Sequence, residues 1–389
     1  MLTVPARQPR ILFCSPHPLT RQLGAPKVLI ELADELRGLG WHCDLLQPAD
    51  LGVQRAGAPA DRDRYTARLR DYLTEHGSDY DVLDVDHEDL PYDRRLFPPD
   101  TLVVARSVLL VQHLGTVQIP RPRGMRHAVG RLLHGRERSA EERSRIARGD
   151  RTVREADLVN VSNRRDRDEL TRRGVPHEKV VVLPFGIPAA QHALLEEPLI
   201  EPSAPPTVVF VGTFDYRKGA LDFPAIVEHV ADRVPTVRFR LLGTAGLFPT
   251  ADAVRYAFPR RLQSRLEIHP RFRPDELASL LAGCSVGVFP SYLEGFGFGV
   301  LEMLAAGIPV IAYDAPGPGE MLGPEYLVPP GDALGMASRV AELLLDRTAL
   351  ARARETARRT AREFSWAAIA RATADTYVAR RAQRLAVPA

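Results

Sequence analysis

Residues 291–314 read SYLEGFGFGVLEMLAAGIPVIAYD, with Glu294 and Glu302 placed around Gly295, Gly297 and Gly299. The run before them, CSVGVFP (284–290), is short, apolar and partly β-branched, the pattern of a strand buried on both faces of a parallel sheet. VLEMLAA (300–306) consists of good helix formers, Gly307 suits the helix end, and Pro309 blocks its continuation. VIAY (310–313) is then the next strand. The unit is strand, glycine loop, helix, strand. Glycines let backbone N–H groups approach a ligand, and the helix start favours an anion. With Glu294 at the strand end and Glu302 in the first turns of the helix, the pattern suits a ligand that is anionic in its middle and hydroxyl-rich at both ends. A nucleotide diphosphate sugar has that chemistry.

Working outward, RILFCSP (10–16), CDLLQP (43–48), DVLDV (81–85), TLVVAR (101–106), DLVNVS (157–162) and KVVVLPFGI (179–187) read as strands of a first α/β half. QLGAPK (22–27) reads as a loop before the helical run VLIELADELRGLG (28–40), which makes a βαβ opening. Residues 188–206 are proline-rich, lack periodicity and read as a linker. TVVFVG (207–212), VRFRLLG (237–243), LEIHP (266–270) and VGVFP (286–290) restart the strand pattern, and the chain from 334 onward reads as helical. A chain of 389 residues exceeds what one hydrophobic core usually serves, so two α/β domains are expected.

Bulk properties exclude several classes. The net charge of +3 does not call for nucleic acid. No apolar run reaches the ~18 residues of a membrane span, and the N-terminus lacks a signal-peptide layout. Cys14, Cys43 and Cys284 have no metal-site spacing and read as buried thiols of a cytoplasmic protein. Lys27, Lys179 and Lys218 are the only lysines, and two of them fall in glycine-containing loops.

Other patches carry two readings each. In VGTFDYRKGALDF (211–223), Arg217 and Lys218 before Gly219 could hold a diphosphate or form a solvated turn. QLGAPK could face a phosphate or simply start a helix. Asp84 and Asp86 with His87 invite a metal reading, but two carboxylates under-specify a site and a structural strand end is favoured. His87 and His113 could act as base or donor, or be ordinary core histidines. Residues 121–154 carry eleven arginines and four acids, which suits a solvated face first, and anionic lipid or an anionic acceptor second.

Taken in order, these residues resemble glycosyltransferase family 4, the retaining family with the GT-B fold. EGFGFGVLE (294–302) is similar to its Glu-x7-Glu signature, AAGIPV to the pattern that follows, and VGTFDYRKG to its phosphate loop. RPDELASLLAGCSVGVFPS (273–291), LVPPGD (327–332) and FSW (364–366) resemble further landmarks, so the likeness covers most of the chain. It implies two Rossmann-like domains facing a central cleft. The first, over 1–190, would bind the acceptor, 191–206 would link, 207–365 would bind the donor, and a helix over 366–389 would cross back to the first domain. By position, Glu294, Lys218 and Arg217 would be catalytic. Glu294 would meet the donor sugar, near the amides of Gly295, Phe296, Gly297 and Phe298. Glu302 would hold ribose, Arg271 and Phe272 the base, and Gly24 and Thr213 would line the phosphates. His87, Arg106 and His113 are the acceptor-side candidates. The family often has an arginine at the position of Thr213, a second glycine at Ala25, and a histidine where Ser107 and Val108 stand. The resemblance further implies no metal or other cofactor, a nucleotide sugar donor and a hydroxyl acceptor. A small soluble acceptor, such as a natural-product intermediate or aminocyclitol, is preferred to a membrane lipid. A nucleotide-sugar epimerase of the same fold and a non-catalytic nucleotide-binding module are the readings from other classes.

Overall fold

The computed structural model describes residues 7–21, 24–54, 59–122, 125–196 and 205–386, with the backbone only at Pro59 and over 125–139. The chain divides into two compact units. One comprises residues up to 116, 129–185 and 366 onward, and the other comprises 117–128 and 186–365.

The first unit holds strands β1 (Arg10–Cys14), β2 (His42–Leu46), β3 (Val82–Asp86), β4 (Leu102–Arg106), β5 (Leu158–Val161) and β6 (Val180–Val182). They form one parallel sheet in the order β2-β1-β3-β4-β5-β6. Its helices are α1 (Gly24–Gly38), α2 (Pro59–His76), α3 (Met125–Glu155) and α4 (Arg164–Arg172). Helix α1 starts at Gly24 rather than after Lys27, so GAPK (24–27) is helical, while residues 22 and 23 lie outside the described residues. Pro26 permits this because the first-turn N–H groups of a helix have no intrahelical acceptor.

In the second unit, α5 (Ala189–Glu196) lies inside the stretch read from sequence as linker. Strands β7 (Thr207–Val211), β8 (Arg238–Leu242), β9 (Leu266–His269), β10 (Val286–Phe289), β11 (Val310–Tyr313) and β12 (Leu327–Val328) follow. They too are all parallel, in the order β12-β11-β10-β7-β8-β9. Helices α6 (Phe223–Arg233), α7 (Ala251–Arg255), α8 (Leu277–Leu281), α9 (Phe298–Ala305), α10 (Ala333–Leu345) and α11 (Arg347–Arg362) complete it. Every residue of β7, β10 and β11 is buried, as expected for strands covered by helices on both faces. Helix α9 ends as its sequence predicts. Gly307 takes φ +67°, its N–H donates to the Leu304 carbonyl, and the Ile308 N–H donates to Met303.

The last helix, α12 (Trp366–Leu385), belongs to the first unit. Trp366 Nε1 donates to the buried Glu31 carboxylate of α1 at 2.7 Å. Further along, Tyr377 Oη donates to Asp84 Oδ2 at 2.7 Å and accepts from Arg106 Nη2 at 2.9 Å and Asn160 Nδ2 at 3.1 Å. Arg106 in turn grips Asp84 with Nε and Nη2. A buried charge pair is tolerated when further hydrogen bonds satisfy its partners, and here the Tyr377 hydroxyl bonds to both of them. Removing the hydroxyl leaves buried partners unpaired, which typically costs about 1–3 kcal/mol. Tyr377→Phe should therefore lower the urea midpoint of the first unit and speed proteolytic release of the last helix. An unchanged midpoint would show that the latch adds nothing.

Among the described residues, no helix is long and apolar enough to cross a membrane, and no group of three His, Cys, Asp or Glu side chains is placed to hold a metal ion. The three cysteines are free and buried.

Candidate active site

In the second sheet β7 lies next to β10, and the chain winds outward from that pair in both directions. Ligands in open α/β sheets bind at such a switch point, beyond the carboxyl ends of the strands. The loops leaving these two strands carry Arg217 with Lys218, and Glu294.

Local chemistry holds both loops. Asp215 accepts from the Thr213 hydroxyl at 2.8 Å and from the Lys218 N–H at 3.0 Å, folding DYRK into a tight turn. Gly219 then takes φ +82°, and a Cβ there would run into the Pro290 carbonyl oxygen. Glycine is thus needed for the close approach of the two loops. The Tyr292 N–H donates to the Arg217 carbonyl at 2.8 Å, and Arg217 Nη1 donates to the Leu293 carbonyl at 2.7 Å. On the other side, Gly299 in the first turn of α9 packs so closely on the Val211 carbonyl that a side chain would collide with it.

These contacts bring three charges together. Lys218 Nζ donates to Glu294 Oε2 and lies 4.8 Å from the centre of the Phe289 ring. Arg217 Nη1 is 3.6 Å from the same carboxylate oxygen, and the Ser291 hydroxyl donates to it at 3.3 Å. Burial alone would raise the Glu294 pKa, but the charges of Lys218 and Arg217 outweigh it and hold the carboxyl below its usual value. For Lys218, burial is the largest influence and lowers the pKa; Arg217 adds to this while Glu294 opposes it. The cluster carries net positive charge beside the amino end of α9, a setting suited to an anion.

The remaining candidates are spread around this cluster or lie elsewhere. Gly295, Phe296, Gly297 and Phe298 form the loop and first turn of α9. Gly297 is its N-cap at φ +94°, and the Phe296 and Phe298 rings meet edge to face at 5.5 Å. Glu302 sits one turn on, with Gln191 Nε2 at 3.5 Å. Arg271 is exposed and Phe272 half-buried in the loop after β9, the latter packed over Gly243 at the end of β8. Gly24 begins α1 in the first unit, with open space where a side chain would be.

The acceptor-side candidates each have a buried partner. His87 Nε2 accepts from the Val111 N–H at 3.0 Å, which places its proton on Nδ1, 3.4 Å from Asp86. His113 Nε2 meets the buried Asp166 at 2.8 Å, and Arg106 is committed to Asp84 and Tyr377. Their exposures are 2%, 7% and 3%. The structure thus gives these three side chains internal roles in the first unit. Asp84, half of the Asp-x-Asp pair, is likewise occupied. In the arginine-rich stretch, Arg145 pairs with Glu88 at 2.7 Å and Arg148 donates to Thr66 at 2.7 Å, while the side chains of 123–139 lie outside the described residues.

Sequence reading missed Ser291, Asp215 and Asp222. Asp215 was detectable, since Asp three residues before a backbone donor is a common turn signal. The others depend on contacts between distant segments.

Residues 205–346 match the family model described as Glycosyl transferases group 1. The D-inositol 3-phosphate glycosyltransferase of Xylanimonas cellulosilytica is 28% identical over 254 residues, covering 61% of this chain and 60% of that protein. These matches support the resemblance to a family 4 type of glycosyltransferase, and the all-parallel two-unit architecture is the GT-B fold. Sucrose-phosphate synthase from Thermosynechococcus elongatus shares that fold, with a TM-score of 0.71 at 22% identity over 97% of this chain and 100% of that one. HepE of Anabaena, solved with UDP and glucose, gives 0.63 at 17% identity over 96% and 100%. The chain spans about three fifths of the length of the curated relative it matches.

Proposed function

We propose that this glycosyltransferase is a retaining enzyme that moves a sugar from a nucleotide diphosphate sugar to a hydroxyl of a small acceptor. The observation that carries this reading is the Arg217–Lys218–Glu294 cluster at the switch point of the second sheet. Breaking the glycosidic bond places negative charge on the departing diphosphate. Lys218, Arg217 and the N–H groups at the start of α9 are preorganised to stabilise that charge, the work that a divalent ion does elsewhere. Glu294 orients Lys218 and is placed to accept from donor hydroxyls. The acceptor proton would pass to a donor phosphate oxygen on the same face, which retains configuration without a protein nucleophile. A hydroxyl-rich small acceptor agrees with the inositol phosphate in the name of the Xylanimonas relative.

The test is a screen of donors against acceptors, read by mass spectrometry and NMR of the anomeric proton. An α-donor should give an α-glycoside on a soluble acceptor, and turnover should persist in chelator. An inverted anomeric centre would overturn retention. An isomerised donor would favour an epimerase, and activity that vanishes in chelator and returns with Mn²⁺ would overturn metal independence.

Glu302 is assigned to the ribose, which does not react. Glu302→Gln should therefore weaken nucleoside diphosphate binding by about 1.5–3 kcal/mol, the worth of a hydrogen bond to a charged group, and change kcat little. Calorimetry with unchanged affinity would remove this assignment.

A further inference from the structure

Asp222 occupies the N-cap position of α6, yet its side chain makes no capping hydrogen bond. A capping aspartate ordinarily stabilises its helix. Here the carboxylate turns away, and one oxygen, Oδ2, accepts from Tyr292 at 2.5 Å and from Tyr313 at 2.8 Å. The two rings pack edge to face at 5.3 Å and are buried. Tyr313 ends β11. Tyr292 lies two residues before Glu294, and its N–H is the donor to the Arg217 carbonyl. Asp222 itself closes the loop that contains Arg217 and Lys218. The carboxylate therefore ties the end of the cation loop to the start of the Glu294 loop, and anchors both to a neighbouring strand.

We propose that Asp222 is a positioning residue that acts through Tyr292 to fix Glu294 against Lys218 and Arg217. This rests on the donor-site reading of that cluster. Without the tie, the two loops keep their backbone hydrogen bond, but the path of the Glu294 loop at Tyr292 is no longer fixed from the side. Lys218 and Glu294 sit on opposite loops, so small relative movement separates them. A misplacement of about 1 Å at reacting groups can cost on the order of a hundredfold in rate. Asp222 touches none of the proposed reacting groups.

The experiment compares Asp222→Ala, Tyr292→Phe and Tyr313→Phe with the parent, each first checked for folding by its thermal transition. Tyr313→Phe removes one hydrogen bond to the same oxygen without altering the Glu294 loop, so it reports the structural share alone. The Glu294 carboxyl signal is assigned by its loss in Glu294→Gln and titrated by carbon-detected NMR, without substrate. In Asp222→Ala and Tyr292→Phe, a loosened Lys218 should let the Glu294 midpoint rise; in Tyr313→Phe it should stay. Turnover, measured alongside, should fall about tenfold or more in the first two and little in the third. In the Glu294→Gln background, Asp222→Ala should cost almost nothing further. An unmoved midpoint in the first two variants, or an equal rise in Tyr313→Phe, overturns the proposal. A moved midpoint with unchanged turnover would leave the positioning role intact and sink the donor-site reading instead. Should Asp222→Ala fail to fold, Tyr292→Phe decides by the same criteria.

Discussion

Replacing Glu294 by glutamine is expected to lower kcat on the order of a hundredfold while leaving nucleoside diphosphate affinity unchanged or tighter. The first part follows from the pairing of Glu294 with Lys218. The carboxylate holds the ammonium at one point between the two loops, and glutamine would hold it weakly, because a charge-assisted hydrogen bond is roughly twice as strong as a neutral one. A group whose position matters chiefly in the transition state lowers kcat when lost. The second part follows from charge. Glu294 partly neutralises Lys218 and Arg217, so its removal exposes both cations to a diphosphate. This is the opposite of the Glu302→Gln signature, in which affinity falls and kcat holds. The same pairing has a pH consequence. The Glu294 pKa is lowered in the folded chain, so its stabilising share is complete above the ordinary glutamate range and is lost as pH falls through the lowered value. Glu294→Gln should lose less stability than the parent across that acidic window. Steady-state kinetics, calorimetry with UDP, GDP and ADP in turn, and urea melts at several pH values test all three. Normal turnover would remove Glu294 from the catalytic assignment.

The difference between the two glutamates shows what sequence could and could not convey. The strand–loop–helix–strand unit around them was legible because each element has a local cause. VGVF and VIAY are apolar throughout, the helix runs from Phe298 to Ala305, and Gly307 with Pro309 stops it. The switch point was not legible, since strand order depends on which helices cross which face. The ion pair between Lys218 and Glu294 joins residues separated by 76 positions, and the Tyr377–Asp84 bond spans 293. Neither leaves a periodic trace. The latter shows what sequence leaves open at Arg106: an arginine at a strand end has the same sequence appearance whether it meets a ligand or a buried aspartate. The start of α1 was misplaced for a related reason. Proline and glycine usually signal a loop, and only the helix-start context makes Pro26 compatible with a first turn.

Lys218 carries the second large effect. Its side chain is half-buried, stacked near Phe289 and held by Glu294, so on the proposed role it would have little freedom to reorganise as charge develops on the diphosphate. Preorganised donors of this kind are worth about 2.7–4 kcal/mol each, or roughly 10²–10³ in kcat. Lys218→Met should therefore lower kcat by that amount, and should also weaken nucleoside diphosphate binding, because on the proposed reading the cation would meet the phosphates in both ground and transition states. Arginine should restore only part, since its planar fork does not reproduce a compact point charge between two loops. The pH profile supplies an independent check. Burial and the neighbouring Arg217 lower the Lys218 pKa despite Glu294, and the proposed role requires the protonated form. The basic limb of kcat/KM in the parent should consequently begin below the pH at which an ordinary lysine titrates. Binding of donor would shift that limb upward in kcat, because the diphosphate favours the ammonium. In Lys218→Arg the limb should disappear, since guanidinium stays charged throughout the accessible range. A parent profile whose basic limb survives unchanged in Lys218→Arg would assign that titration to another group and leave Lys218 without its catalytic role.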